Sequence, residues 1–271
     1  MNQILTQLCL GTEDHVEWAR TLTMPSGHTL EVVTRRNDRE NNEDSAGFAW
    51  LSTGALVAIV CDGLGGHSAG EEASSTVVQY FLAKLEEAET TLTVDTFRPL
   101  VTTLLDEASK LLRRRMDRRD TTFTLAIVFP KENKIQIAHV GDCEASLYQL
   151  GSGIQATVIQ GDGYNHVWHT VAYLNQEYIQ FSTWSTNPDV DWKLLLATDG
   201  CGEVSIDEAV HMNAKTVCDT SSRLGKRPGN KRDNATAVSI HYTVSYELSD
   251  TSTVEIPLAV ESTTPTELPE V

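Results

Sequence analysis

No run in this chain approaches the roughly 20 consecutive apolar residues that span a bilayer. The first fourteen residues, MNQILTQLCLGTED, lack the basic n-region of a signal peptide. Cysteine is sparse, with five residues, an odd number, and no Cys-x-x-Cys pair. That argues against a disulfide framework and against the usual spacings of zinc and thioredoxin-like sites, and a reducing cytoplasm is the expected compartment. Positive charge is scarce as well: 21 Lys and Arg stand against 38 Asp and Glu, for a net charge of -17. A surface of that sign repels phosphate backbones and anionic lipid, so neither nucleic acid nor membrane is an expected partner.

What is present suits a globular protein. The chain has 271 residues, 40% of them hydrophobic, enough to build a substantial core. Residues 1–245 read as one domain. Residues 246–271 read as an acidic tail rich in Ser, Thr and Pro, flexible or loosely attached, in which Thr253 to Val260 has the pattern of an edge strand. Residues 1–30 give no clear signal beyond a strand near Leu30 to Thr34. Ser45 to Leu51 and Ala55 to Cys61 read as a hairpin closed by Ser52-Thr53-Gly54. Ala73, Val77, Phe81 and Leu85 recur every four residues, and Phe97 through Leu112 keeps a 3–4 spacing, so two helices are expected. Pro99 fits only in the first turn of the second helix, with Asp95 or Thr96 as its cap. Thr122 to Phe129, Lys134 to Val140, Glu144 to Leu150, Trp192 to Thr198 and Ala235 to Val244 read as strands, and Ile206 to Cys218 as a helix; residues 154–191 are ambiguous. This order predicts an α+β fold: a central β-sandwich of two antiparallel sheets flanked by helices, in four αββα layers.

Acids mark the strand ends. LVAIVCDG, KIQIAHVGD and WKLLLATDG each close an apolar run on an Asp-Gly or Gly-Asp pair, and Asp233 stands just ahead of the last strand. The remaining pair, Asp162-Gly163, has no such lead-in. Asp-Gly taken singly is a turn dipeptide. Carboxylates gathered from several strand tips repel one another by about 4 kcal/mol per pair at ~4 Å and an effective dielectric of ~20, and hard divalent cations with oxygen ligands answer that charge.

The ordered set Arg39-x-x-Asn42-Glu43-Asp44, Asp62-Gly63-x-Gly65-Gly66-His67, Gly141-Asp142, Thr198-Asp199-Gly200 and Asp233-Asn234-Ala235-Thr236 resembles the metal-dependent serine/threonine protein phosphatases (the PPM, or type 2C, family). The Asn-Glu-Asp form and Leu64 are similar to its bacterial branch. The resemblance implies the β-sandwich fold and hydrolysis of phosphoserine and phosphothreonine in proteins by a metal-activated water. It implies two Mn²⁺ or Mg²⁺ ions: Asp62 would bridge them, the Gly63 carbonyl would bind one, and Asp199 and Asp233 would bind the other. Glu43 and Asp44 would act through metal-bound waters, Arg39 would grip the substrate phosphate, Asn234 would support Asp233, and Asp142 with Asp199 would share a third ion. Implied partners are phosphorylated proteins, a cognate Ser/Thr kinase and that kinase's substrates. Attack would be direct, so Cys61, Cys143 and Cys201 are not needed as nucleophiles.

The chain departs from the family pattern in three places. Leu64 stands where eukaryotic members often carry His, Gly141-Asp142-Cys143-Glu144 replaces Gly-Asp-Ser-Arg, and the segment between Cys143 and Thr198 is short, which implies a shortened flap. Two rival readings share the fold: a non-catalytic regulatory domain that binds phosphoproteins or a kinase, and a phosphatase of small phosphate esters. His67, His139 and His166 read as core or turn residues. The Arg113 to Arg119 cluster reads as a solvated helix end, where positive charge suits the helix dipole. Lys226, Arg227, Lys231 and Arg232 precede Asp233 and form a basic segment that would draw phosphorylated segments to an acidic mouth.

Overall fold

The computed structural model describes residues 5–13, 15–24, 26–64, 70–115, 120–149, 153–159, 169–209, 211–225 and 231–244. The expectations for the tail, His67, His166, Asp162-Gly163, Lys226 and Arg227 concern residues outside that set, as does part of the segment between Cys143 and Thr198 to which the shortened flap is assigned. Among the described residues the strands are β1 (Leu5–Cys9), β2 (Glu17–Thr23), β3 (His28–Arg35), β4 (Asp44–Trp50), β5 (Leu56–Leu64), β6 (Asp120–Thr121), β7 (Phe123–Phe129), β8 (Lys134–Val140), β9 (Glu144–Gln149), β10 (Gly153–Ile159), β11 (Gln180–Ser185), β12 (Trp192–Ala197) and β13 (Ala235–Tyr242). The helices are α1 (Gly70–Glu87), α2 (Phe97–Arg115), α3 (Ile206–Ala209) and α4 (Ala214–Leu224). No helix among them is long and apolar enough to cross a membrane.

The strands form two sheets in which each pairing is antiparallel. One runs β1-β4-β5-β7-β8-β11, with β6 on β5, and the other runs β10-β9-β12-β13-β3-β2. Strand alternation then builds the layers. On β5, Leu56, Ala58 and Val60 face the second sheet with Phe48, Val32, Leu196 and Val238, while Val57, Ile59 and Cys61 face α1 and α2. A strand covered on both faces needs a continuous apolar run, as LVAIVC provides. The four-residue repeat Ala73, Val77, Phe81, Leu85 and the stripe Phe97, Val101, Leu105, Ala108, Leu112 pack on that outer face. On the far side α4 lays Val217 and Cys218 against Leu195, Ala197 and Ala237. Burying each large apolar side chain contributes about 1.5–3 kcal/mol. The predicted α+β sandwich in four layers is therefore the observed one.

Two segments depart from the reading of the sequence. Residues 1–30 supply all of β1 and β2 and the start of β3. β1 is an edge strand, and β2 is an edge strand whose side chains are largely exposed or half-buried, so it lacks a clean inside–outside alternation. The single helix expected over Ile206 to Cys218 is two. Asn213 breaks it, accepting the Thr216 N–H at 2.8 Å as the cap of α4. Lys193, buried on β12, fixes the break by donating to the carbonyls of Ala209 and Met212.

The β4–β5 turn needs a left-handed residue, and Gly54 has φ +94° with open space around it. Gly200 is glycine for another reason: a Cβ there would stand 1.6 Å from the Asn234 carbonyl oxygen. Gly54→Ala should therefore cost only backbone strain, about 1 kcal/mol. Gly200→Ala should cost on the order of 3 kcal/mol or more, because two backbone segments must separate. Urea denaturation midpoints check the ranking; equal losses would contradict it.

Candidate metal centre

The site stands at one end of the sandwich, where the strand tips of both sheets meet. Asp44 opens β4 and Asp62 lies near the end of β5, and the two are direct cross-strand partners. Like charges facing each other across a ladder are destabilising, and here Asp44 is 1% exposed. Asp142 follows β8, Asp199 follows β12 after Thr198, and Asp233 precedes β13. Arg39 and Glu43 come from the β3–β4 loop. The seven residues expected to hold metal, and Arg39, thus converge from both sheets.

Their electrostatics record how close they are. Burial first, and then the charges of Asp44, Asp199, Asp233 and Asp142, push the Asp62 carboxyl well above the usual carboxylate range. Asp44 is pushed up to about 8, chiefly by burial, with Asp199 and Asp233 adding to it and hydrogen bonds from Thr236 and Thr198 opposing. Asp142 is pushed up to about 6 by burial and by Asp199 and Asp233. Asp199 is raised by burial and Asp233, with a hydrogen bond shared with Asp62 and the charge of Arg39 offsetting part of the shift. Arg39 donates to Asp233 Oδ2 and feels Glu43 and Asp62 as well.

Neutral groups hold these acids in place. Thr198 Oγ1 donates to Asp44 Oδ2 at 2.8 Å across the two sheets, and accepts the Thr236 N–H at 3.0 Å. The Thr236 hydroxyl meets Thr34 Oγ1 at 2.6 Å, and Thr34 Oγ1 accepts from Asn42 Nδ2 at 2.9 Å. On β5, Thr122 Oγ1 accepts the Asp62 N–H at 2.8 Å while Thr121 Oγ1 donates to the Asp62 carbonyl at 2.8 Å. Asn234 ties the β3–β4 loop to β13: its amide donates to the carbonyls of Arg36 (2.9 Å) and Asn41 (3.1 Å), and its Oδ1 accepts the Glu43 N–H (2.9 Å). Its own backbone N–H donates to Asp233 Oδ1 at 2.8 Å, while its side chain anchors Glu43. Thr34, Thr121 and Thr122 were missed by the sequence reading. The available signal was threonine at the ends of apolar runs.

These residues fit a divalent cation. Asp44 Oδ1 and Asp142 Oδ1 are buried oxygens without a hydrogen-bond partner, and the donor set is oxygen throughout, which suits Mg²⁺ or Mn²⁺. Among the described residues no three His, Cys, Asp or Glu side chains already form a closed ligand group; repulsion between ionised carboxylates opposes such closure. Histidine and cysteine stand apart from this chemistry. His139 is buried between Thr124 Oγ1 (2.8 Å) and the Gly141 carbonyl (3.0 Å), and burial lowers it to about 4, so it is a neutral core residue, as expected. Burial pushes the Cys61 and Cys143 thiols well above the ordinary thiol range, and a bond with Cys218 does the same first for Cys201.

A carboxyl raised on folding makes the native state bind more protons than the unfolded chain, so stability falls as pH climbs toward the raised value. Lowered His28, His139 and His241 act the other way only below their unfolded value near 6.5, and Lys193, lowered to about 8, only above that. Between pH 6.5 and 8 in EDTA, the urea-derived unfolding free energy should therefore fall, by about 1.4 kcal/mol per pH unit for each retained proton. Asp44→Asn should flatten the slope; a rising or level wild-type profile would contradict the electrostatics.

The fold has known counterparts. "Serine/threonine phosphatase stp" of Listeria monocytogenes serotype 4b (strain F2365) is 29% identical over 126 residues, covering 45% of this chain and 50% of that protein. The chain thus matches about half the length of such curated relatives. The serine/threonine phosphatase of S. agalactiae superposes with a TM-score of 0.64 at 16% identity, over 80% of this chain and 100% of that one. RsbX in complex with magnesium superposes with a TM-score of 0.59 at 14% identity, over 83% and 100%. The family description "Protein phosphatase 2C" matches residues 34–232. That span carries every residue assembled above except Asp233 and its neighbours on β13, and the chain belongs to the protein phosphatase 2C family.

Proposed function

We propose that this chain removes phosphate from phosphoserine and phosphothreonine in proteins with the help of two Mn²⁺ or Mg²⁺ ions. The observation that carries the reading is half-buried Asp62, at the meeting point of both sheets, with Asp44, Asp142, Asp199 and Asp233 close enough to raise its carboxyl. Asp62, the Gly63 carbonyl, Asp199 and Asp233 would hold the pair, with Glu43 and Asp44 behind them and Asp142 beside Asp199 for a third ion. Bound there, the ions would lower the pKa of a water and neutralise the phosphoryl oxygens.

The chain's own residues do the rest. Arg39 is half-exposed and presents a guanidinium fork that suits a phosphate dianion. To use it Arg39 must leave Asp233, a trade of one anion for another. The threonine network fixes Asp44, and the two threonines of β6 and its neighbour fix the Asp62 backbone, so the acids are set before substrate arrives. His139 is too buried and too weakly basic to protonate a leaving group near neutral pH. The relatives' name, serine/threonine phosphatase, supports phosphorylated Ser and Thr as the target; phosphorylated proteins of a Ser/Thr kinase pathway, in the cytoplasm, are the partners we propose.

With Mn²⁺ or Mg²⁺ the protein should hydrolyse an aryl phosphate and a phosphothreonine peptide, and EDTA should abolish both activities. Asp62→Asn and Asp199→Asn should each lose at least about 100-fold in kcat, the scale of one transition-state electrostatic group, while keeping the native circular dichroism. Arg39→Ala should mainly raise KM. Metal-loaded, folded protein that binds phosphopeptide without turnover would overturn catalysis and favour a binding domain; turnover of small esters alone would overturn the protein substrate.

A further inference from the structure

A cleft of about 340 Å³ leads away from Asp199 and Asp233 along the C-terminal end of α4 and the stretch before β13. Its walls include Asn37, Ser221, Lys231 and Arg232. The two basic residues differ in kind. Arg232 is committed: Nε and Nη2 each reach Asp38 at 2.7 Å, and Nη1 donates to the Ser222 carbonyl at 2.8 Å. It fixes the wall and offers no free charge. Lys231, its neighbour, is exposed and makes no ion pair or hydrogen bond with any described residue. In a chain of net charge -17, Lys231 places an ammonium two residues from Asp233. Glu203 also lines the cleft but is engaged in an interaction of its own. Once Asp199 and Asp233 are neutralised by cations, Lys231 is the charge that an incoming chain meets beside the phosphate position.

We propose that this cleft is a specificity subsite for an anionic side chain of the substrate, a Glu, an Asp or a second phosphorylated residue, close in sequence to the phosphoserine being cleaved. The proposal rests on the phosphatase reading above and adds to it which phosphoproteins are preferred. An extended chain advances about 3.3–3.6 Å per residue. The two-residue separation of Lys231 and Asp233, with the reach of a lysine side chain, places the anion within about three positions of the phosphoserine. Lys231 is a rim charge, so it sets preference and salt dependence rather than overall affinity.

The test is a panel of phosphoserine peptides in a neutral background, with Glu or a second phosphoserine at each of three positions on either side. At low salt the best anionic peptide should exceed the all-neutral one about two- to fivefold in kcat/KM, the size of an exposed charge pair. Lys231→Ser should bring that ratio to about one, and Lys231→Glu should turn it in favour of Lys-bearing peptides. If only the second phosphate and not Glu is preferred, the ligand is a phosphate. No preference at any position, or a preference unmoved in both variants, overturns the subsite. Dissociation constants of the same labelled peptides, from fluorescence anisotropy, test the same ratio if the wild type turns over none of them. Failure of the subsite and failure of the catalytic reading are thereby told apart.

Discussion

The structure turns on two aspartates placed opposite each other in adjacent strands, one buried and the other half-buried. Asp44 and Asp62 are ladder partners, and among the described residues no Lys or Arg makes an ion pair with either of them. A folded domain tolerates such a pair only if the carboxyls keep protons or if something positive joins them. The rest of the site follows from that constraint. Asp142, Asp199 and Asp233 add to the repulsion instead of relieving it, so the cost is spread over five strand tips and answered in one place.

The sandwich is well made for this burden. Each acid sits near a strand end or immediately beyond it, where ladder bonds hold the adjoining backbone. The cross-sheet bond from Thr198 to Asp44 and the Asn234 anchor of the β3–β4 loop tie the two sheets together at the charged end. Apolar packing between the sheets stabilises the fold as a whole; these neutral hydrogen bonds fix where the charges lie. The same division applies to Gly200, where the absence of a side chain lets the Asp199 turn press against the segment that carries Asp233.

Much of this was legible in the residues, for reasons that can be named. The interior strands β5, β7, β8 and β12 are covered on both faces and read as unbroken apolar runs. α1 and α2 bury one stripe each and keep a helical period. Asp62, Asp142 and Asp199 could be singled out because each stood at the end of such a run, and Asp233 because it stood just ahead of one; Glu43 and Asp44 were singled out by the family resemblance. β1 and β2 were not legible, because edge strands have no alternation to show. The break between α3 and α4 was hidden because its determinant, buried Lys193, comes from a distant strand. Thr34, Thr121 and Thr122 escaped notice because a hydroxyl's role depends on what the other sheet places opposite it. His139 read correctly as a core residue, since a lone histidine inside an apolar strand has little else to be.

The central claim is that these buried carboxyls carry more protons than isolated acids do and give them up to divalent cations. Calorimetric titration of the metal-free protein with Mn²⁺ at pH 7, repeated in buffers of different ionisation enthalpy, counts the protons released. The account predicts saturable binding with release of about one proton or more per chain, and loss of that release in Asp62→Asn. Binding without proton release, or no binding at all, would contradict it.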